Sequence, residues 1–287
     1  MSGPPSLVEA AMACLGGGTD AAVTATTVGA AVAAVVRAGD LHLDLLGQIP
    51  SSEVGRKSSR RDLVTAADVG AERLIVEQLR GLGDGAAIEA EEETSDEVSE
   101  GLRWFLDPLD GTVNFVHCIP NFSVSLALYR GPVPIFGVVH APRLGETFVA
   151  AAGAGAWLLE AGRVAQRLAT SSTSDLSEAI LATGFPYRRG ELKNSNLENF
   201  GRFFYDVRGL RRLGSAALDL AYVAAGRLDG FWELHLSPFD LAAGALLVRE
   251  AGGVVEDLAG GEDWLRGGEI LACAPGLRDP MSTRLER

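Results

Sequence analysis

Apolar residues recur along the chain in two rhythms. Trp104-Phe105-Leu106 reads as a strand that runs into Asp107-Pro108. Pro108 lacks an N–H and is expected to end it in a sheet interior. VSLALY (124–129) and PIFGVVHAP (134–142) read as paired strands joined by a turn at Gly131-Pro132. The helical rhythm is clearest where Ala71, Leu74, Ile75, Leu79 and Leu82 follow Thr65-Ala66-Ala67-Asp68. That segment opens as a helix start, with Asp68 as its cap. Pro238-Phe239-Asp240 leads into an Ala/Leu/Val-rich run closed by Gly252-Gly253, which reads as a buried helix. Residues 21–36, uncharged and Ala-rich, read as a buried first helix. They are short for a membrane span, and Asp20 in place of a basic region speaks against a signal peptide. Residues 1–20, with Pro4-Pro5 and Gly16-Gly17-Gly18, form an extension without an assigned role. No internal repeat or long linker interrupts residues 21–287, so one compact unit is expected there.

Candidate chemistry concentrates after the Trp104 strand. Asp107 and Asp110 flank Pro108-Leu109 and are followed at once by Gly111-Thr112. Such a turn projects two carboxylates from a strand end, and Gly111 lets backbone N–H groups approach an anion closely. Thr112 adds a hydroxyl that can orient a water. One or two carboxylates plus phosphate oxygens is the ligand set that Mg²⁺ takes. A lone Asp-Pro often only begins a turn, so three other acidic segments carry weight. Residues 88–97, IEAEEETSDE, hold Glu89, Glu91, Glu92 and Glu93; most such runs face water, but one member can complete a cation site and act as general base. Asp240 stands where a helix N-terminus favours a carboxylate, either as a simple cap or as a further metal ligand. In KSSRRDLVTAAD (57–68), Asp62 precedes Leu63-Val64 and is the better candidate for a place near the metal.

Composition narrows the function class. The 287 residues carry a net charge of −13 and are 47% hydrophobic, enough for a sizeable core. A sequence pI near 4.8 argues against a nucleic-acid footprint. Cys14, Cys118 and Cys273 lack paired spacing, so neither a disulfide framework nor a zinc site is expected, and reduced, cytoplasmic residence fits. His42 and His235 show no metal spacing. Arg188-Arg189 and Arg211-Arg212 read as solvated or interface charges, with Arg188 able to approach a substrate rim. A phosphate monoester dianion repels an anionic nucleophile, so clustered carboxylates serve such a substrate only if cations intervene. No Cys-x5-Arg loop or Ser-His pair suggests a covalent route. Direct in-line attack by water, with inversion at phosphorus, is the simpler expectation.

Four motifs point to one family. DPLDGTVNFVH (107–117), PFDLAAG (238–244) with EAGG (250–253), AEE (90–92) and Lys57 with DLVT (62–65) occur in order. Together they resemble the inositol monophosphatase family of Mg²⁺-dependent, lithium-sensitive phosphatases, from about Ala21 to the C-terminal region. The resemblance implies an α/β (α+β) fold of the sugar-phosphatase type, a layered αβαβα sandwich, and commonly a homodimer. It implies two or three Mg²⁺ ions held by Glu92, Asp107, Asp110, Asp240 and the Leu109 carbonyl. Glu92 and Thr112 would hold and activate the attacking water, and the Gly111 and Thr112 N–H groups would bind phosphate. Asp62 would join a hydrogen-bond relay near Thr112. Glu233 would accept substrate hydroxyls, helped by Gly214, Ser215 and Ala216, and His117 would be structural. Two departures stand out: Phe239 replaces a usual Trp, and Ala90 replaces the Gly before Glu-Glu. The second, with Glu93 prolonging the run, leaves the register among Glu91, Glu92 and Glu93 open; Glu92 is the choice made.

The resemblance implies a small phosphorylated substrate, with no nucleic acid or membrane partner. Inositol 1-phosphate or a similar polyol monophosphate is favoured. Histidinol phosphate, fructose 1,6-bisphosphate and 3′-phosphoadenosine 5′-phosphate are alternatives within the superfamily. One bacterial branch also assists transcription, which makes a transcription-associated scaffold the non-enzyme alternative.

Overall fold

The computed structural model describes residues 6–16, 20–57, 63–97, 101–187, 190–192 and 194–286. Its first half runs α1 (Leu7–Leu15), α2 (Ala25–Leu45), β1 (Gly55–Arg56), β2 (Leu63–Val64), α3 (Ala66–Arg80), β3 (Ala87–Ala90), β4 (Leu102–Asp110) and α4 (Thr112–Val116). Then come β5 (Ser123–Arg130), β6 (Val133–Ala141), β7 (Glu146–Ala151), β8 (Gly155–Glu160), β9 (Gln166–Arg167) and β10 (Ile180–Thr183). The chain continues through α5 (Leu197–Phe203), β11 (Gly209–Arg211), α6 (Ala216–Ala224), β12 (Gly230–Leu234) and α7 (Pro238–Glu250). It closes with β13 (Val254–Glu256), α8 (Trp264–Gly267), β14 (Glu269–Cys273) and α9 (Arg278–Ser282).

Strands β3 to β9 form one sheet in sequence order, and a second sheet has the order β11-β10-β12-β14-β13. Alternation along each strand decides what covers each face. Trp104, Leu106, Leu126 and Leu128 pack with Val35, Ile75 and Leu79 of α2 and α3. Their neighbours Phe105, Ala127 and Tyr129 face the other way, onto α6 and α7. Phe231, Ile270 and Ala272 of the second sheet close over the same two helices. Trp232, Leu234 and Leu271 turn outward to Phe203, Leu277 and Met281. The layers are therefore helix, sheet, helix, sheet, helix, the αβαβα sandwich expected.

Helix α7 lies between two sheets, which is why its sequence is apolar on all sides: every residue from Leu241 to Val248 is buried. Small residues let it sit close. A Cβ on Gly244 would fall 2.5 Å from Leu220 Cβ of α6. Within the expected extension, residues 7–15 form α1, with a Ser6–Glu9 capping box and Ala11 and Leu15 buried. Among the described residues no helix is long and apolar enough to cross a membrane.

The expected end of β4 before Pro108 needs correction, because the strand runs to Asp110. Its pairing with β5 shifts between Asp107, opposite Ser125, and Asp110, opposite Ser123. One extra residue is thus accommodated as a bulge, where the missing N–H of Pro108 breaks no ladder bond. The bulge has a functional consequence. Residues three apart on a regular strand point to opposite faces, whereas here both carboxylates end up on the α6/α7 side.

Candidate active site

The bulge places the two aspartates at the mouth between the sheets. A cavity of about 530 Å³ opens there, lined among others by Glu91, Asp110, Arg212, Asp219, Glu233 and Asp240. Asp107 lies behind it, 1% exposed, and its Oδ1 accepts from Leu109 N at 2.9 Å. Asp110 is fixed from α6: its Oδ2 accepts from Ser215 Oγ at 2.6 Å and from Ala217 N at 2.8 Å. Asp240 reaches back to Ser237 N at 2.7 Å in a capping box at the start of α7. Asp240 is thus the helix cap of the first reading, and it also lines the cavity. Glu233 projects from β12 on the inner face, against Gly184, where any Cβ would come within 2.1 Å of its carboxylate. Gly214, Ser215 and Ala216 line the same space.

Gly111 adopts φ 95°, and a Cβ there would meet Asn121 O at 3.0 Å and Gly214 O at 3.1 Å. Only glycine fits this left-handed turn without strain. The turn launches α4 at Thr112, whose first N–H groups have no intrahelical partner. Thr112 Oγ1 lies 2.9 Å from Asp68 Oδ1 and 3.1 Å from Leu109 O. Asp68 Oδ2 is itself held by Thr65 N at 2.8 Å and Thr65 Oγ1 at 2.7 Å. Asp68, expected only to cap α3, thus caps it and also receives Thr112. Asp62, expected in that relay, lies outside the described residues, as do Arg188 and Arg189.

Of the three acids whose register the sequence left open, Glu91 and not the chosen Glu92 faces the aspartates. Glu91 lines the cavity and hydrogen-bonds Asp107. Glu92 is turned to Lys57 Nζ, at 2.5 Å, and toward Asp68. Lys57 also pairs with Glu91 at 2.7 Å, so one ammonium bridges both acids. The backbone decides the register. Glu91 N donates to Leu106 O at the end of the β3–β4 ladder. The next three amides, of Glu92, Glu93 and Thr94, donate at 2.8, 2.9 and 2.8 Å to the buried Glu72 carboxylate of α3.

Burial dominates the electrostatics. It pushes Asp107 well above the usual carboxylate range, helped by Glu91, Asp110 and Asp240. Burial also raises Asp240 strongly, again with Glu91 and Asp110 beside it. Asp110 rises to about 6 through burial, opposed by the Ser215 hydrogen bond. Glu92 rises to about 7 and Glu233 to about 8, both chiefly by burial, with Lys57 and Arg212 respectively opposing. Burial alone would lower Lys57, but its pairing with Glu91 and Glu92 outweighs that and keeps it charged.

A crowded, desolvated set of acids is self-repelling unless a cation intervenes. Its donors are hard oxygens only, the set suited to Mg²⁺. Among the described residues no three of them are preassembled as a finished cage, so the fit lies in the donor chemistry. Sequence reasoning missed Glu72, Tyr187 and Asp219, and read Arg212, which lines the cavity, as a solvated or interface charge. Glu233 was reached only through the family resemblance.

Comparison with known proteins agrees with this geometry. The model of the inositol monophosphatase family matches residues 23–285. The Nus factor SuhB of Escherichia coli K12 is 40% identical over 267 residues, covering 90% of this chain and 97% of its own. An inositol-1-monophosphatase of Mesorhizobium japonicum is 40% identical over 242 residues, covering 84% and 89%. Among solved structures, the extragenic suppressor protein suhB of Bartonella henselae superposes with a TM-score of 0.82 at 37% identity, covering 90% of this chain and 97% of that one. With its motifs, its five-layer fold and this match over nearly its whole length, the chain belongs to the inositol monophosphatase family.

Proposed function

We propose that this protein is a Mg²⁺-dependent phosphomonoesterase acting on inositol 1-phosphate or a similar polyol monophosphate. The observation that carries the proposal is the meeting of Glu91, Asp110, Asp240 and Glu233 around one cavity, with Asp107 behind it against Glu91 and the Thr112–Asp68 pair on the turn that follows Asp110. The four acids and the Leu109 carbonyl would hold the cations. When bound, Mg²⁺ acidifies a water and offsets charge on the entering and leaving oxygens.

The chain's own groups supply the rest. Thr112 has a single hydroxyl proton, and directing it to Asp68 leaves oxygen lone pairs to accept from the attacking water. Asp68, raised by burial against the bonds from Thr65 and Thr112, would serve as the base behind it. The Gly111–Thr112 turn presents backbone N–H groups to the phosphate. Glu233, distant in sequence but sharing the cavity, accepts hydroxyls of the leaving alcohol. The inositol-1-monophosphatase name of the Mesorhizobium relative supports this substrate class.

Phosphate release with Mg²⁺ from inositol 1-phosphate, histidinol phosphate, fructose 1,6-bisphosphate and 3′-phosphoadenosine 5′-phosphate tests the reading. A preference for the inositol ester is expected, and a clear preference for another ester would replace that substrate. The Nus-factor name of the Escherichia coli relative favours a second reading, a role in transcription. Asp110→Asn separates the two, since a scaffold should tolerate it and a phosphatase should not.

A further inference from the structure

One carboxyl at the cavity has no task in the account above. Asp219, on α6, is 2% exposed, and that edge opens on the cavity. Its Oδ1 is buried and makes no hydrogen bond with any protein group. Other buried carboxyls are held by at least one oxygen: Glu72 receives three amides, Asp229 receives Ser171 Oγ at 2.6 Å and Ile180 N at 2.7 Å, and Glu256, whose Oε1 is likewise unpartnered, receives Arg278 Nε on its Oε2 at 2.8 Å. An unpaired acid is out of keeping with that pattern and opposes folding, so its retention calls for a partner that arrives.

Position indicates which partner. Asp219 lies one helical turn beyond Ser215, whose hydroxyl fixes Asp110, so both sit on one stripe of α6. The charged groups facing it are Glu233, Asp110 and Arg212. The stripe therefore connects the reacting end of the cavity, at Asp110, to its hydroxyl-binding end, at Glu233. Burial, with Glu233 and Asp110 close by, holds the Asp219 carboxyl well above the usual range, so it can donate a hydrogen bond as well as accept one.

We propose that Asp219 is a specificity-determining residue that shares with Glu233 the binding of adjacent hydroxyls on the leaving group of a polyol monophosphate. Glu233 takes one hydroxyl, and the cavity-facing edge of Asp219 takes its neighbour. A phosphate ester without aliphatic hydroxyls gains nothing from this pair. The inference rests on the phosphatase reading of the site.

The test compares wild type, Asp219→Asn and Asp219→Leu with Mg²⁺ on inositol 1-phosphate and on p-nitrophenyl phosphate, with thermal melts alongside. The Leu variant is expected to raise KM for the inositol ester about tenfold, as expected for losing a hydrogen-bonding partner. Its kcat/KM on the nitrophenyl ester should stay within about twofold of wild type. The Asn variant keeps shape and both hydrogen-bonding roles and should restore most of the inositol KM. If the Leu variant does not fold, Asp219→Ala takes its place with the same expectation. An unchanged inositol KM, or equal losses on both esters, overturns the proposal. A wild type active on the nitrophenyl ester without preference for the polyol overturns it while leaving the phosphatase reading intact; a wild type inert on both overturns the two together.

Discussion

At the scale of single residues, Thr112 and Asp68 tie the fold to the chemistry. In the proposed reaction the Thr112 hydroxyl, donating to Asp68 Oδ1 at 2.9 Å, keeps its lone pairs for water, while Thr65 occupies the other Asp68 oxygen. Thr112→Val keeps the volume and removes the hydroxyl. It should lower kcat by about 10²–10³, the range for a lost acid–base partner, with KM changed by no more than about threefold. Steady-state kinetics checks this; a change confined to KM would assign Thr112 to binding instead. The sequence showed Thr112 but hid Asp68's second role. Thr65 followed three residues later by an acid is a capping signature, and nothing local says that the same carboxylate also meets a hydroxyl 44 residues downstream.

The elements show why some positions were readable and others were not. Asp107, Asp110 and Asp240 stand next to clear punctuation, a proline and a helix start, whereas Glu233 came only with the family resemblance. Glu91, Glu92 and Glu93 are three identical residues at the end of β3, and only the backbone path tells them apart. Here Glu72 of α3 holds three successive amides and so aims Glu91 at the aspartates. Glu72→Gln preserves size but halves the acceptor capacity. Unfolding in urea should show a loss of roughly 1–3 kcal/mol, and the Mg²⁺ concentration for half-maximal activity should rise severalfold. If stability falls and the Mg²⁺ requirement does not move, Glu72 serves only the loop. Pro108 teaches a related lesson. Its usual strand-ending effect disappears where a bulge asks for no N–H, and that bulge is what gathers Asp107 and Asp110 on one side.

Taken as a whole molecule, the five-layer sandwich was legible only through the family motifs, with the apolar run of α7 marking a buried helix, whereas Arg212, Tyr187 and Asp219 converge only once the second sheet folds over. The same closure concentrates negative charge in a chain already at −13. Asp110 rises from 3.8 to about 6 and Glu233 from 4.5 to about 8, with Asp107 and Asp240 also raised. Between those limits the folded chain binds more protons than the unfolded one. Stability of the metal-free protein therefore falls as pH rises across that interval. With EDTA, Tm should be lower at pH 8 than at pH 5. Mg²⁺ should recover ~5 °C or more at pH 8 and little at pH 5. A metal-free Tm that climbs between pH 5 and 8 would contradict this view of the cluster.

The most direct test of the central claim is phosphate release from inositol 1-phosphate by wild type and Asp110→Asn, each with Mg²⁺ and with EDTA. Wild type should turn over with Mg²⁺ and not with EDTA, and the variant should lose about 10²-fold or more at equal folded content. Equal turnover by the variant, or full wild-type activity in EDTA, would show that the carboxylate cluster is not a cation-dependent phosphatase centre.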